Sequence, residues 1–264
     1  VDVATKLGRL AVTDSGTGTP VVFWHSLLCD SSMWNAQVDE LGRDHRILRV
    51  EGPGHGRSEP CHRPFTIEQC ADALVEILDA HAIEKATLVG LSWGGMTAMR
   101  VAIRAPSRVA ALALLDTSAS AEYWKNRVRY RAMAEVYRRI GLVAPILPAV
   151  ADAMFTPETL RARPFLFREL VSRIRLWDRD GLYHAIKAVV VERVSIVAQL
   201  PRIRVPVLVV VGAKDKATPP RESERIAASI EGARLERVEG AGHLSAVERP
   251  EEVNRLLRAF VSGL

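Results

Sequence analysis

Thr87-Leu88-Val89-Gly90-Leu91-Ser92-Trp93-Gly94-Gly95-Met96-Thr97-Ala98-Met99 passes from a short apolar run through Gly-x-Ser-x-Gly into helical spacing. That order is strand, sharp turn, helix, the context in which a serine is presented as a nucleophile. The reason is steric. Ser92 has to sit at a strained backbone position, and its neighbours have to be almost free of side chain for strand and helix to meet so tightly. Gly90, Gly94 and Gly95 supply that freedom. The turn lifts the Ser92 hydroxyl clear of the sheet and sets it near the positive end of the following helix.

Working outward, the chain alternates between strand and helix patterns. Residues 7–14 alternate like an edge strand, and Val21-Val22-Phe23-Trp24 is a continuous apolar run of the kind covered on both faces. Ser31–Leu41 reads as a helix, Arg46–Val50 as a strand and Thr66–Ala80 as a helix. The strand before Ser92, the helix Trp93–Arg104 and the strand Ala110–Leu115 follow. Such alternation implies a mostly parallel sheet with helices on both faces, and ligands bind such sheets at the carboxyl ends of strands. Ser92, His25 and Asp116 all fall at such ends.

From 121 to 200 the alternation stops. Glu122–Ile140, Phe165–Leu176 and Gly181–Gln199 read as helices, punctuated by Pro145, Pro148, Pro157 and Pro164. Strands and helices resume at Val205–Val211, Arg221–Ile230, Leu235–Val238 and Glu251–Val261. The expected organisation is a core of residues 1–120 and 201–264 with residues 121–200 inserted as a helical cap over the sheet edge.

Composition narrows the class. With 48% hydrophobic and 25% charged residues, the 264-residue chain is ordinary for a globular protein. No apolar run approaches the ~20 residues of a membrane-spanning helix. No basic segment followed by an apolar stretch opens the sequence, and Cys29, Cys61 and Cys70 show neither zinc-type spacing nor an even count. The chain therefore reads as cytoplasmic, with reduced thiols and no metal. The net charge is +5, but 14 Lys and Arg against 8 Asp and Glu put +6 into residues 121–200 and leave −1 for the rest. No nucleic-acid motif accompanies that charge, so a nucleic-acid partner is not expected. The sequence assigns no oligomeric state.

A serine hydroxyl needs a base to remove its proton as it attacks, and the base needs an orienting carboxylate. His243 lies in Glu239-Gly240-Ala241-Gly242-His243-Leu244, a flexible loop after the last strand. Two carboxylates fit the chain order Ser, Asp, His: Asp215, after the buried run Val207–Gly212, and Asp116, one strand earlier. The turn-rich loop of Asp215, directly before a helix, favours that residue. The amides of Trp93, after the nucleophile, and Leu27, after the Val21–Trp24 strand, are the candidate oxyanion donors.

Taken together, His25-Ser26-Leu27, Gly52-Pro53-Gly54-His55-Gly56-Arg57-Ser58, Gly90–Gly95, Gly212-x-x-Asp215 and Gly242-His243 resemble the α/β-hydrolase superfamily from end to end. Within it, Ser31-Ser32-Met33-Trp34, Gly94-Gly95-Met96, Thr218-Pro219 and His243-Leu244-Ser245-x-Val247-Glu248-x-Pro250 are similar to 3-oxoadipate enol-lactonases. The resemblance implies an α/β-hydrolase fold, a Ser92/Asp215/His243 triad, no cofactor, and an ester or lactone substrate. Ser26 stands where most of the superfamily has glycine, and Glu51 where many members have aspartate. His55 and Arg57 are expected to brace a loop rather than touch substrate.

The helical insertion adds candidates for the substrate. Trp93, Trp124 and Trp177, with Tyr123, Phe165 and Phe167, can line an apolar pocket. Among Arg127, Arg129, Arg131, Arg138, Arg139, Arg161, Arg163, Arg168, Arg173 and Arg175, one or two turned inward would grip a substrate carboxylate. The expected activity is cofactor-independent hydrolysis of a small or medium carboxylic ester or lactone through an acyl-enzyme. Carbon–carbon bond hydrolysis and perhydrolysis use the same triad, and a ligand receptor could retain the same pocket.

Overall fold

The computed structural model describes residues 2–264. Eight strands form one sheet: β1 (Asp2–Thr5), β2 (Gly8–Ser15), β3 (Thr19–Trp24), β4 (His45–Val50), β5 (Ala86–Leu91), β6 (Val109–Leu115), β7 (Val207–Gly212) and β8 (Arg234–Val238). Their order is β1-β2-β4-β3-β5-β6-β7-β8. β1 and β2 pair antiparallel, β2 pairs antiparallel with β4, and every later pairing is parallel. The central strands β5 and β7 are buried along their whole length, which is why they read as unbroken apolar runs rather than alternating ones.

Eleven α-helices accompany the sheet in the described residues: α1 (Asn35–Leu41), α2 (Ile67–Ala80), α3 (Trp93–Arg104), α4 (Trp124–Ile140), α5 (Leu147–Met154), α6 (Pro157–Ala162), α7 (Pro164–Ile174), α8 (Arg179–Ile186), α9 (Pro220–Ser229), α10 (Ser245–Glu248) and α11 (Pro250–Val261). Thr66 caps α2 by accepting from the Gln69 N–H, while the Gln69 side chain accepts from the Thr66 N–H. None of the helices is long and apolar enough to cross a membrane.

The architecture is an α/β-hydrolase fold, with differences in detail from the sequence reading. The edge strand expected at residues 7–14 is β2, but β1 lies outside it. Ser31–Leu41 opens as a 3-10 turn, Ser31–Trp34, before α1 begins. The expected helix Gly181–Gln199 ends early: α8 passes into a π turn, Lys187–Val191, and a separate 3-10 segment runs Val197–Arg202. Helices α5 and α6 were not expected. Their prolines look like breaks in sequence, yet Pro148, Pro157 and Pro164 stand in the first turns of α5, α6 and α7. A proline there gives up an N–H that has no helical partner in any case.

The centre of the fold is the junction of β5 with α3. A Cβ on Gly94 would lie 2.0 Å from the Trp24 carbonyl oxygen, and one on Gly90 would lie 2.2 Å from the Gly94 carbonyl carbon. Backbone meets backbone at both points, so neither contact can relax by a rotamer change. Gly94→Ala is expected to destabilise the protein by about 3 kcal/mol. A thermal melt should show a fall in Tm of about 6–12 °C; an unchanged Tm would disprove the packing account of this glycine.

Candidate active site

Ser92 sits between β5 and α3 with φ 54° and ψ −109°, a left-handed backbone position for a residue that is not glycine. The surroundings hold it there. Its N–H donates to the Leu115 carbonyl at 2.9 Å, and its carbonyl accepts from the Thr117 hydroxyl at 2.7 Å and the Met96 N–H at 2.9 Å. The register that pairs Trp24 with Gly90 continues to bring the turn after β3 level with Ser92.

His243 lies in the loop after β8, which crosses the end of β7. A Cβ on Gly212 would lie 2.1 Å from the Gly242 carbonyl oxygen, so this glycine permits the crossing. The buried ring of His243 meets the Asp215 carboxylate, Nδ1 standing 3.1 Å from Oδ1 and 3.0 Å from Oδ2. Asp215 also accepts from the Ala217 and Thr218 N–H groups at 2.8 and 3.0 Å and from the Thr218 hydroxyl at 2.8 Å. An acceptor at Nδ1 demands the proton on that nitrogen and leaves Nε2 free to act as a base. Burial alone would lower the basicity of His243. The charge and hydrogen bond of Asp215, with Asp116 and Glu248 beyond, raise it above the ordinary imidazole value.

Asp116, the other candidate acid, does not bond to the ring. It accepts from the Gly212 N–H at 2.7 Å, the Ser245 N–H at 3.2 Å and the Ser245 hydroxyl at 2.5 Å. Burial, then the neighbouring charge of Asp215, pushes its pKa up to about 8. Glu248 is a third buried carboxylate. It accepts from the Gly242 N–H at 2.8 Å through Oε1, and from the Thr156 N–H and hydroxyl at 2.9 Å through Oε2. The loop carrying His243 is therefore held at Gly242 by Glu248, at its ring by Asp215, and at Ser245 by Asp116.

A second set of contacts shapes the turn Ser26–Cys29. His25 bonds through Nδ1 to the Ser26 carbonyl at 2.7 Å and accepts at Nε2 from the Gly52 N–H at 2.9 Å. His55 bonds through Nδ1 to the Pro53 carbonyl at 3.0 Å and accepts at Nε2 from the Leu28 N–H at 3.3 Å. Burial lowers the pKa of both, that of His55 to about 3, so both rings are neutral braces. Glu51 ties the same region together, accepting from the Ser31 hydroxyl at 2.6 Å and the Arg57 N–H at 2.7 Å. Leu28 takes φ 67° within this turn. The Leu27 N–H meets no acceptor among the described residues. Trp93 is the first residue of α3, where an N–H has no helical partner. The Ser26 hydroxyl is buried without a hydrogen bond.

These groups border a cavity of about 400 Å³, whose wall includes Ser26, Leu27, Ser92, Thr218 and His243. The Ser92 hydroxyl makes no hydrogen bond to the His243 ring among the described residues. Contacts of this kind commonly close only around substrate. Helices α4, α5, α7 and α8 and the π turn complete the wall. None of the three tryptophans assigned to substrate lines it. The Trp93 indole is fully buried against Trp24, His25 and His55, and Trp177 stacks on His55 with ring centroids 4.9 Å apart. Trp124 is 61% exposed at the start of α4. Helical spacing alone does not say which face of a helix borders a cavity, and here α4 presents Tyr130, Met133, Ala134 and Tyr137 rather than Trp124. Of the ten arginines singled out in sequence, the wall holds Arg129.

The α/β hydrolase family model matches residues 21–256. The chain belongs to the α/β hydrolase family. This α/β hydrolase is 29% identical over 244 residues to 3-oxoadipate enol-lactonase 2 of Acinetobacter baylyi, covering 91% of this chain and 88% of that one. Its structure is similar to a thermophilic esterase from Thermogutta terrifontis, with malate bound, at TM-score 0.92 and 31% identity, over 100% of this chain and 98% of the other. The enol-lactonase from Burkholderia xenovorans LB400 has TM-score 0.92 and 28% identity, over 99% and 100%.

Sequence reasoning missed the work of Thr218, Ser245 and Glu248 in this α/β hydrolase. The spacing of Ser245 and Glu248 after His243 was visible, but only the folded loop shows what their side chains hold. Glu248→Gln removes one negative charge near His243 and leaves either the Gly242 or the Thr156 N–H facing an amide NH₂. The pKa of His243, followed by its ring NMR signals, should fall, and stability should drop by about 1–3 kcal/mol. A His243 titration that stays put or moves upward would refute the electrostatic part.

Proposed function

We propose that this α/β hydrolase cleaves carboxylic esters or lactones through an acyl-enzyme, with Ser92 as nucleophile, His243 as base and Asp215 as its orienting acid. The observation that carries the reading is the double contact of Asp215 with His243 Nδ1 at 3.0–3.1 Å, beside a strained Ser92 in the same cavity wall. In this reading His243 Nε2 takes the Ser92 proton as Oγ attacks the carbonyl carbon, and the Leu27 and Trp93 amides receive the charge on the carbonyl oxygen. Collapse of that intermediate breaks the ester C–O bond, and His243 returns the proton to the departing alkoxide. Water, deprotonated by the same nitrogen, then attacks the acyl-enzyme and releases the acid and free Ser92. With a lactone the alcohol stays attached to the acyl chain, and the product is a single ring-opened acid. The esterase and enol-lactonase relatives act on substrates of this kind by name, which supports the same chemistry here. Residues 121–200 serve as the cap that roofs the site.

Asp116 is a positioning group in this reading, because its contacts run to the loop backbone and Ser245 rather than to the imidazole.

Ser92→Ala should lower kcat on a p-nitrophenyl ester by about 10⁴-fold or more and abolish burst release of nitrophenol. Asp215→Asn should approach that loss, and Asp116→Asn should fall well short of it. The reverse ranking would transfer the acid role to Asp116. The plot of kcat/KM against pH should rise as His243 loses its proton, with its midpoint above the ordinary imidazole value of 6.5, because the surrounding carboxylates favour the protonated ring. A midpoint below 6.5 would remove His243 from the role of base.

A further inference from the structure

The cavity wall has a composition that the shared triad does not require. Three of the chain's five methionines, Met96, Met133 and Met154, face it, joined by aliphatic residues such as Leu142, Ile186 and Val190. Methionine walls adapt to flexible apolar occupants. Of the cations at the wall, Arg193 and Lys216 are already paired with carboxylates. The Arg193 side chain is 8% exposed and donates to the Ser120 and Val189 carbonyls at 2.9 and 3.0 Å and to Glu122 at 3.0 Å. Lys216 is paired with Asp152. Arg129 lies on an exposed part of α4, over the Tyr130 ring and bonded to its hydroxyl at 3.1 Å. A carboxylate drawn into this cavity would lose its water and meet no buried, unpaired cation in return.

We infer that the acyl part of the substrate is an uncharged aliphatic chain of medium length, housed beneath α4, α5 and the π turn. This rests on the hydrolase reading above. It parts company with the carboxylated substrate that inward-turned arginines would have served. The acyl group is assigned to the cavity, rather than the alcohol, because it stays bonded to Ser92 through both half-reactions while the alcohol must leave. A mostly apolar wall can therefore stabilise it throughout. The π turn contributes directly, since it supplies Val189 and Val190 to the wall.

The test uses the purified chain with p-nitrophenyl acetate, butyrate, hexanoate, octanoate and dodecanoate. Neutral esters should gain about fourfold in kcat/KM per added methylene until the cavity is full, the factor equivalent to ~0.8 kcal/mol per buried CH₂. Mono-p-nitrophenyl esters of adipic and suberic acids should fall about 10-fold or more below neutral esters of equal length. Ala134→Phe, which fills the wall from α4, should reduce the octanoate-to-acetate ratio of kcat/KM by about 10-fold. Val190→Phe provides a second obstruction from the π turn should the buried Ala134 site reject a ring. Activity that ignores chain length, or that favours the carboxylated esters, would overturn the inference while leaving the triad intact. So would alkyl acetates whose rates climb with the alcohol chain while the acyl series stays flat. Absence of hydrolysis and of burst with every ester would instead overturn the hydrolase reading, and this inference with it.

Discussion

Three carboxylates with almost no exposure to solvent grip one four-residue loop, and the arrangement of the site depends on that grip. A buried carboxylate is strongly unfavourable unless donors satisfy it. Asp116, Asp215 and Glu248 find those donors in the backbone of Gly212, Ala217, Thr218, Gly242 and Ser245, in hydroxyls, and in the His243 ring. The need of each acid for hydrogen bonds thus becomes a constraint on the loop. β6 contributes the acid that follows its last residue, β7 the acid in its exit loop, and α10 the third. An imidazole on a glycine-containing loop would otherwise sample many orientations. Held at residues 242, 243 and 245, it has few.

The same network reaches the inserted helices. Glu248 spans the Gly242 N–H and the start of α6 at Thr156, while Arg163 donates to the carbonyls of Val247 and Glu248 at 3.2 and 2.7 Å. Arg173, farther along, donates to the Ser32 hydroxyl at 2.5 Å and stands 3.7 Å from Asp30. The loop carrying His243 and the helices of residues 121–200 consequently share hydrogen bonds, and a displacement of one strains the other. The positive charge concentrated in residues 121–200 is explained in part by such struts. Arg127 donates to the Val191 carbonyl and Arg138 pairs with Asp180 at 2.6 Å, so part of the excess binds the helices to one another and to the sheet domain.

What could be read in the sequence was governed by backbone geometry. Gly90, Gly94 and Gly95 announce a turn that admits no side chain, and contacts of 2.0–2.7 Å at a hypothetical Cβ on each explain why. Strand-helix alternation follows from burial on both faces and was equally legible. In residues 121–200 the helices α4 and α7 were legible, whereas α5 and α6 were not, because their prolines serve as starts rather than stops. Trp124 illustrates the limit. Its size suggests burial, yet it stands on the outer side of α4, where Lys125 lies 5.6 Å from its ring. Asp116 and Asp215 are indistinguishable by chain order; the turn-rich loop of Asp215 favoured it in sequence, and in the structure Asp215 bonds to the ring while Asp116 does not.

The raised pKa of Asp116 gives this arrangement a further property. Two buried acids and an imidazole within one network cannot all carry charge without strong repulsion between the acids, and burial with the charge of Asp215 pushes Asp116 to about 8. Asp116 is thus the acid whose charge is disfavoured, while Asp215 faces the ring. The clamp can survive protonation of Asp116 because one of its two partners at Oδ2 is a hydroxyl. A hydroxyl can donate to an ionised carboxylate and accept from a protonated one, and Ser245 Oγ stands 2.5 Å from Asp116 Oδ2. The Ser245 N–H, which meets the same oxygen at 3.2 Å, can only donate. The loop carrying His243 is thus held at Ser245 by a hydroxyl contact that tolerates either charge state of Asp116, while Asp215 meets the ring itself.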